Sequence, residues 1–336
     1  LTAIADDDVI RCAVTLRSPF TVESLPLLSR VHRAAFRQRR RNSKRFVGKP
    51  AKRLYRLLLA LGMGGTGMIR LSLPGGERRI SFNAGNTQFG ALYLPQSLPV
   101  YEPETSALLD RLVVDGDVFF DVGANWGWYA LLIASRPGFA GRIHAFEPFP
   151  STFRDLASAV RQGGLDNVIA CHDIALADCE GVAAMGFSDG VQSGLARLGE
   201  AGGTKVRLAR LDGLGLPAPD VIKIDAEDHE LEVLEGAAAI LDGARPFVVF
   251  ENWLHRDRPV TTLAPLHLLA AKDYRFFHPG WVTGDRDCIL AGHAAKASGQ
   301  LALVPFLASQ RFQLPDQVNV VAVPAERMDT FRARFI

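Results

Sequence analysis

Val118-Phe-Phe-Asp121-Val-Gly123-Ala-Asn125-Trp-Gly127-Trp-Tyr-Ala-Leu-Leu-Ile133 is the stretch that decides how this chain reads. An apolar run closes on an aspartate, and a loop of glycines and a small residue follows. Trp126 to Ala134 then carries Tyr129, Leu132 and Ile133 at helical spacing. Strand, glycine turn and helix N-terminus in this order make a nucleotide-binding corner of an open α/β sheet. Glycine allows the close backbone approach a ligand needs, and the free N–H groups of the first helical turn suit an anionic group.

Downstream, strand and helix alternate at the interval of a doubly wound parallel sheet. Arg142 to Glu147, Val168 to Ile174, Val221 to Asp225 and Phe247 to Glu251 read as further core strands. Ser151 to Gln162 is a helix, and another follows Asp225 with Leu231, Leu234, Ala238 and Leu241 on one stripe. Val182 to Phe187 and Lys205 to Leu208 suggest an added strand pair. Leu263 to Ala271 is helical, Tyr274 to His278 strand-like, and Val318 to Val323 a closing strand. Upstream, residues 68–73 and 78–82 alternate in polarity around Pro74-Gly75-Gly76-Glu77, a β-hairpin signal. A helix is expected from about Thr105 to Val113.

Four core strands end in an acid: Asp121, Glu147, Asp225 and Glu251. Ligands of open α/β sheets sit outside the carboxyl ends of the strands, so all four are expected at one crevice. Glu147 stands where a carboxylate accepts both hydroxyls of a ribose. That placement also fits NAD, but the turn is not G-x-G-x-x-G, and Asn125 and Trp126 stand where a dinucleotide loop needs slimness against a pyrophosphate. S-adenosylmethionine has no phosphate, and its methionine end suits a loop with side-chain hydrogen bonding and a carboxylate nearby.

Several segments in order carry a resemblance. They are Asp121 to Gly127, Ala145-Phe-Glu-Pro-Phe-Pro150, Ala175-Leu-Ala-Asp178 with Glu180-Gly181, Leu211-Asp212, Ile222-Lys-Ile-Asp-Ala-Glu227, Glu230 to Gly236 and Val248 to Glu251. Together they resemble the FkbM-type methyltransferase family over roughly Tyr101 to Glu251, and Asn319-Val-Val-Ala-Val323 is similar to the family's last strand. The resemblance implies a class I S-adenosylmethionine-dependent fold: a doubly wound, mostly parallel, seven-stranded, Rossmann-like sheet. It further implies O-methylation of a hydroxyl on a sugar, glycan or secondary metabolite, with S-adenosyl-L-methionine as cofactor. By the same resemblance Gly123, Asn125 and Gly127 line the methionine end, with Asp121 nearby. Glu147 binds the ribose, and Pro148 and Phe149 flank the adenine. Residues around Asp173, Ala175 and Leu176 close its other edge, Tyr101 and Glu102 cover the cofactor, and Asp225 sits closest to the methyl.

One departure stands out. The family continues Lys-Ile-Asp with Val-Glu-Gly, whereas this chain has Ala226-Glu227-Asp228-His229.

A hydroxyl acceptor must lose its proton. Asp225 and Glu251 are the candidate bases, with His229 the alternative because its ordinary pKa lies near working pH. Lys223 shares a face with Asp225 by the period of two, and a Lys223–Asp225 pair would keep Asp225 ionised. Asp225, Glu227, His229 and Glu251 would be the competing metal set, but their spacing imposes no ligand geometry, so no metal is assigned.

The 336 residues have an ordinary globular composition, 48% hydrophobic and 22% charged. Cys12, Cys171, Cys179 and Cys288 form no C-x-x-C pair and read as small buried hydrophobes of a reducing compartment. No apolar run approaches the ~18 residues of a membrane span, and Asp6 to Asp8 stand where a signal peptide would carry lysines. The expected location is cytoplasmic, with a peripheral position at a membrane open.

Residues 30–56 hold 12 of the 38 Lys and Arg and no acid, leaving 26 bases against 36 acids, a net charge of −10, in the remainder. This predicts an acidic body with a basic arm. Its partner would be an anionic surface or an acidic protein. Nucleic acid is disfavoured because no aromatic platform for bases is interleaved. The expected organisation is a basic helical arm over 1–66, a hairpin and loop over 67–100, and a methyltransferase domain over 101–336 with an insertion at about 279–315. A binding or scaffold protein with degenerate chemistry, recruited through the arm, is the second function class.

Overall fold

The computed structural model describes residues 9–41, 54–55, 57–59, 61–94, 100–187, 196–198, 203–283, 288–291 and 299–336. Seventeen strands are formed among them. They are β1 (Ile10–Ala13), β2 (Phe20–Ser24), β3 (Thr66–Leu73), β4 (Gly76–Asn83), β5 (Val118–Val122), β6 (Arg142–Phe146), β7 (Ile169–His172), β8 (Ile174–Leu176) and β9 (Gly181–Phe187), followed by β10 (Ala196–Leu198), β11 (Thr204–Ala209), β12 (Val221–Ile224), β13 (Phe247–Trp253), β14 (Tyr274–Thr283), β15 (Cys288–Ala291), β16 (Gln300–Phe306) and β17 (Gln317–Pro324). The α-helices are α1 (Leu27–Arg41), α2 (Pro103–Leu112), α3 (Trp128–Ala134), α4 (Pro150–Gly163), α5 (Glu230–Gly236), α6 (Ala238–Gly243), α7 (Pro259–Ala270) and α8 (Met328–Ala333).

The main sheet has ten strands in the order β1-β16-β14-β17-β13-β12-β5-β6-β7, with β15 added on β14. Its β13-β12-β5-β6-β7 half is parallel throughout, and these are the five core strands expected from sequence. Every pairing beyond β13 is antiparallel. Five antiparallel ladders against four parallel ones overturn the expected seven-stranded, mostly parallel Rossmann-like sheet.

The extra strands were hidden by turn residues. Pro279-Gly280 reads as a stop in sequence, yet β14 runs through both, and Pro305 sits inside β16 opposite Phe277. Proline and glycine are punctuation in most strands, so a period-based reading breaks there. The segment expected as an insertion, 279–315, therefore supplies an internal strand. The arm expected to be helical holds β1, on the edge of the main sheet, and β2, which pairs with the β3–β4 hairpin in a three-stranded sheet. Within the arm α1 is helical, as are 54–55 and 57–59, while 42–53 lie outside the described residues. The added strand pair also forms, β9 against β11, within a four-stranded sheet.

Apolar residues alternate between the two faces of the main sheet. Phe119, Val221, Phe247 and Val249 face one core with α2, α3, α4 and α8. Phe120, Ile222, Ile224, Val248 and Phe250 face the other with α5, α6 and α7. Helix starts follow local chemistry: Pro103, Pro150 and Pro259 each open a helix, where a missing N–H costs nothing. No helix among the described residues is long and apolar enough to cross a membrane. Cys12 is buried, Cys171 half-buried and Cys179 exposed, and all three are free thiols.

Candidate active site

The period of two decides which end residues meet. Asp121, Lys223 and Asp225 project to the α3 face, as do Glu147 and Glu251, because each is an even number of residues from a core residue of that face. In register, Lys223 stands opposite Asp121 on β5 and opposite Val249 on β13. Glu251, two residues beyond Val249, is thereby brought beside Asp225.

Gly123 makes the corner possible. Its φ is +71°, and a Cβ there would lie 1.8 Å from the backbone oxygen of Asp225. The N–H groups of Gly123 and Ala124 both donate to Phe146 O, at 3.0 and 2.9 Å, pinning the loop to β6. Asn125 follows at φ +51°, and its N–H donates to Glu147 Oε2 at 3.0 Å. Phe149 N–H donates to Glu147 Oε1 at 2.8 Å, so both oxygens of this buried carboxylate are oriented by backbone. Trp126 seals the outer side of the loop, its ring 4.6 Å from Phe89 and 5.3 Å from Phe20 of β2.

These elements enclose a cavity of about 250 Å³. Of the residues singled out in sequence, Tyr101, Glu102, Gly123, Asn125, Glu147, Pro148, Ala175, Leu176, Lys223, Asp225, His229 and Glu251 line it. Four do not. Asp121 is wholly buried beneath the floor, and Gly127 starts α3 at φ +95°. Phe149 contributes its N–H to Glu147, and Asp173 is exposed between β7 and β8. The expectation that all four strand-end acids share the crevice is thus corrected: Glu147, Asp225 and Glu251 line it and Asp121 supports it from below.

Lys223 is the centre of the charge arrangement. Its Nζ lies 3.2 Å from Asp225 Oδ2, 3.7 Å from Asp121 Oδ1 and 5.1 Å from the centre of the Tyr129 ring. Burial alone would lower its pKa; Asp225, Asp121 and Glu102 outweigh that and raise it. Tyr129 OH donates to Glu102 Oε2 at 2.6 Å. Glu102 itself is at φ +36°, and its carboxyl is pushed up by burial and then by Asp225.

Glu251 accepts from Trp253 Nε1 at 2.8 Å and from Gln317 Nε2, one hydrogen bond to each oxygen. His229 Nδ1 is 3.8 Å from Glu232 Oε2, and that partner raises its pKa. Asp228 is in the left-handed region at φ +76°, and its Oδ1 lies 2.8 Å from His255 Nε2. Glu102, Asn125, Glu227 and Asp228 are four of the six non-glycine residues with positive φ among the described residues. Strained backbone concentrated at one cavity marks a functional site. The described residues hold no group of three or more His, Cys, Asp or Glu placed to bind a metal ion.

Sequence reasoning missed Tyr129, Gln317 and His255, and it did not connect Trp253 with Glu251. Tyr129 looked like core helix. Gln317 and Trp253 belong to β17 and β13, whose antiparallel register sets them opposite one another. That pairing has no local signal.

Burial pushes Asp121 up to about 6, Glu147 up to about 7 and Glu251 up to about 8, the last with help from Asp225. Carboxyls raised on folding bind protons more tightly in the folded state. Their contribution is fully present below the unfolded range near 4 and is lost as pH rises through 6 to 8. The ligand-free protein is therefore expected to melt several degrees higher at pH 5.5 than at pH 8.5. Glu251→Gln should remove the upper part of that slope; scanning calorimetry across this range checks it, and a flat or reversed profile contradicts it.

Residues 121–276 match the family model described as Methyltransferase FkbM domain. The chain is 30% identical over 155 residues to "Hexuronic acid methyltransferase AglP" of Haloferax volcanii, a match covering 45% of this chain and 62% of that protein. It is 39% identical over 122 residues to "31-O-demethyl-FK506 methyltransferase FkbM" of Streptomyces tacrolimicus, covering 35% and 42% respectively. The chain thus spans less than two thirds of either relative. Among solved structures, "Methyltransferase FkbM from Methylobacillus flagellatus KT" aligns with a TM-score of 0.39 at 19% identity, over 57% of this chain and 44% of that one. The matched residues run from Asp121 through the strand ends that build the cavity, so the part of this chain that is similar to the Methyltransferase FkbM domain is the part that forms the site.

Proposed function

We propose that this chain transfers a methyl group from S-adenosylmethionine to a hydroxyl of a sugar, glycan or secondary metabolite. The observation that carries the reading is that the Asn125–Glu147 corner shares one cavity with Asp225 and Glu251. The corner fits the cofactor. Glu147 retains acceptor capacity for a ribose diol while its two backbone donors fix it. Pro148, Ile174, Ala175 and Leu176 supply an apolar slot for an adenine, and Gly123 leaves the room a methionine end requires. When bound, the cofactor supplies an already activated sulfonium methyl.

The chain's own work is then to position the acceptor and take its proton. Lys223 keeps Asp225 oriented at the methyl end. Glu251, raised to about 8 and held by Trp253 and Gln317, is the acid best tuned to accept a hydroxyl proton near working pH. His229 is turned to Glu232 and is the weaker candidate. Among the described residues the lining includes five carboxylates, Lys223 and His229 but no arginine, which favours an uncharged or amine-bearing acceptor over an anionic one. For the basic segment 30–56 we propose an anionic partner, from its twelve Lys and Arg and absence of acids.

Calorimetric titration with S-adenosylmethionine tests the reading. Glu147→Ala is expected to weaken binding about 10- to 100-fold, the worth of lost hydrogen bonds to a charged group. Glu251→Gln should leave affinity intact and lower turnover about 10²- to 10⁴-fold, and Asp225→Ala should also lower turnover more than affinity. Absence of binding at millimolar cofactor would sink the enzyme reading. Binding without transfer to any of a panel of neutral, amino and acidic sugars would instead favour a scaffold.

A further inference from the structure

Among the described residues, six of the twelve large hydrophobic side chains left exposed lie in one short region: Leu27, Val31, Leu54, Leu57, Leu61 and Met63. Leu27 is 75% exposed and Leu61 66%. Leu27 and Val31 are four residues apart on α1, Leu54 and Leu57 are three apart in helical backbone, and Leu61, whose N–H donates to Leu57 O at 3.0 Å, follows in the next turn, so each set lies along one side. The two stripes belong to one unit, because the His32 ring stacks on Tyr55 at 4.0 Å. The inner side of the unit is anchored to the body. Ser29 is buried and meets Tyr93 OH at 3.3 Å, and Leu59 is buried.

The same region, residues 30–56, carries twelve Lys and Arg and no acid. Arg30 is exposed on α1 between Leu27 and Val31. An exposed apolar stripe flanked by basic residues has two demands, a low-dielectric surface and negative charge beside it. A soluble polyanion meets only the second. An anionic lipid surface meets both, with apolar side chains entering the acyl boundary and bases at the headgroups.

We propose that the surface formed by Leu27, Arg30, Val31, Leu54, Leu57, Leu61 and Met63 docks on an anionic lipid bilayer. This is independent of the methyl-transfer reading. Deleting the arm would not test it, because the deletion also removes β1 and the Phe20 ring that packs on Trp126. Point variants of exposed residues avoid that.

The full chain is sedimented with vesicles of phosphatidylcholine, with and without phosphatidylglycerol, at low and high salt. Binding to the anionic vesicles should be at least about tenfold tighter at low salt and should fall steeply as salt rises. Leu27→Ser with Val31→Ser should weaken it about tenfold without changing the melting temperature. Three outcomes overturn the proposal. One is equal binding, or none, on both vesicle types. Another is binding to RNA or heparin as tight as to vesicles and untouched by the serine variants. The third is a dimer in solution that the serine variants dissociate, which would make the face a contact between copies.

Discussion

Lys223→Met is expected to destabilise the protein by roughly 3–5 kcal/mol, the usual cost of stripping one partner from a buried ion pair. Lys223 is 3% exposed and Asp121 wholly buried, and Asp121 has no other neighbouring cation among the described residues. Methionine fills similar space but leaves Asp121 and Asp225 facing each other without the ammonium between them. Asp121, already pushed up to about 6 by burial, then answers the loss by taking a proton. The deficit should therefore shrink as pH falls from 8 to 5, since protonation removes the uncompensated charge. Urea unfolding of both proteins at the two pH values measures it. The double variant with Asp121→Asn should recover part of the loss at pH 8. A Lys223→Met protein as stable as the parent at both pH values would show that the three charges are not coupled.

Gly123→Ala is the second large effect. Alanine at φ +71° costs about 1–2 kcal/mol in backbone strain alone. The new Cβ would also stand 1.8 Å from Asp225 O, a backbone atom at the end of a central strand. Either β5 and β12 separate at their ends or the loop lifts, and both outcomes disturb the Asp225 and Glu147 geometry together. Cofactor binding should fall by more than about 100-fold, with about 3 kcal/mol or more of stability lost. Gly127→Ala is the informative control. It too has positive φ, at +95°, but its Cβ would meet Leu156 Cδ1 at 2.7 Å, the movable end of a side chain. It should lose stability while retaining most of its affinity. Equal affinity loss in both variants would mean that backbone conformation, rather than approach to Asp225, governs the site.

The half of the sheet that carries the corner was readable because its signals are local. Each of β5, β6, β12 and β13 is a short apolar run ending at an acid, with a helix in the next twenty residues. The antiparallel half was not readable. β14 and β16 contain Pro279, Gly280 and Pro305, which a local reading treats as breaks. β1 is four residues with no period of its own, and it exists as a strand because β16 offers an edge to pair with. The site divides the same way. Glu147, Asp225, Lys223 and Glu251 announce themselves as charges at the ends of apolar strands. Gln317 and Tyr129 are ordinary residues until register and helix packing bring them to Glu251 and Glu102.

The sequence by itself determined the glycine corner, the five parallel strands, the identity of the acids at their ends and the resemblance to FkbM-type methyltransferases over roughly Tyr101 to Glu251. These follow from chain-local chemistry: side-chain periodicity, the conformational freedom of Gly123, and the termination of strands. Only the tertiary structure decided which of those acids line the cavity and which one lies beneath the others. Asp121 and Glu251 both end apolar strands in sequence, yet one lies sealed beneath Lys223 and the other opens on the cavity beside Trp253. The difference arises from what packs above each residue, a helix over Asp121 and the crevice over Glu251.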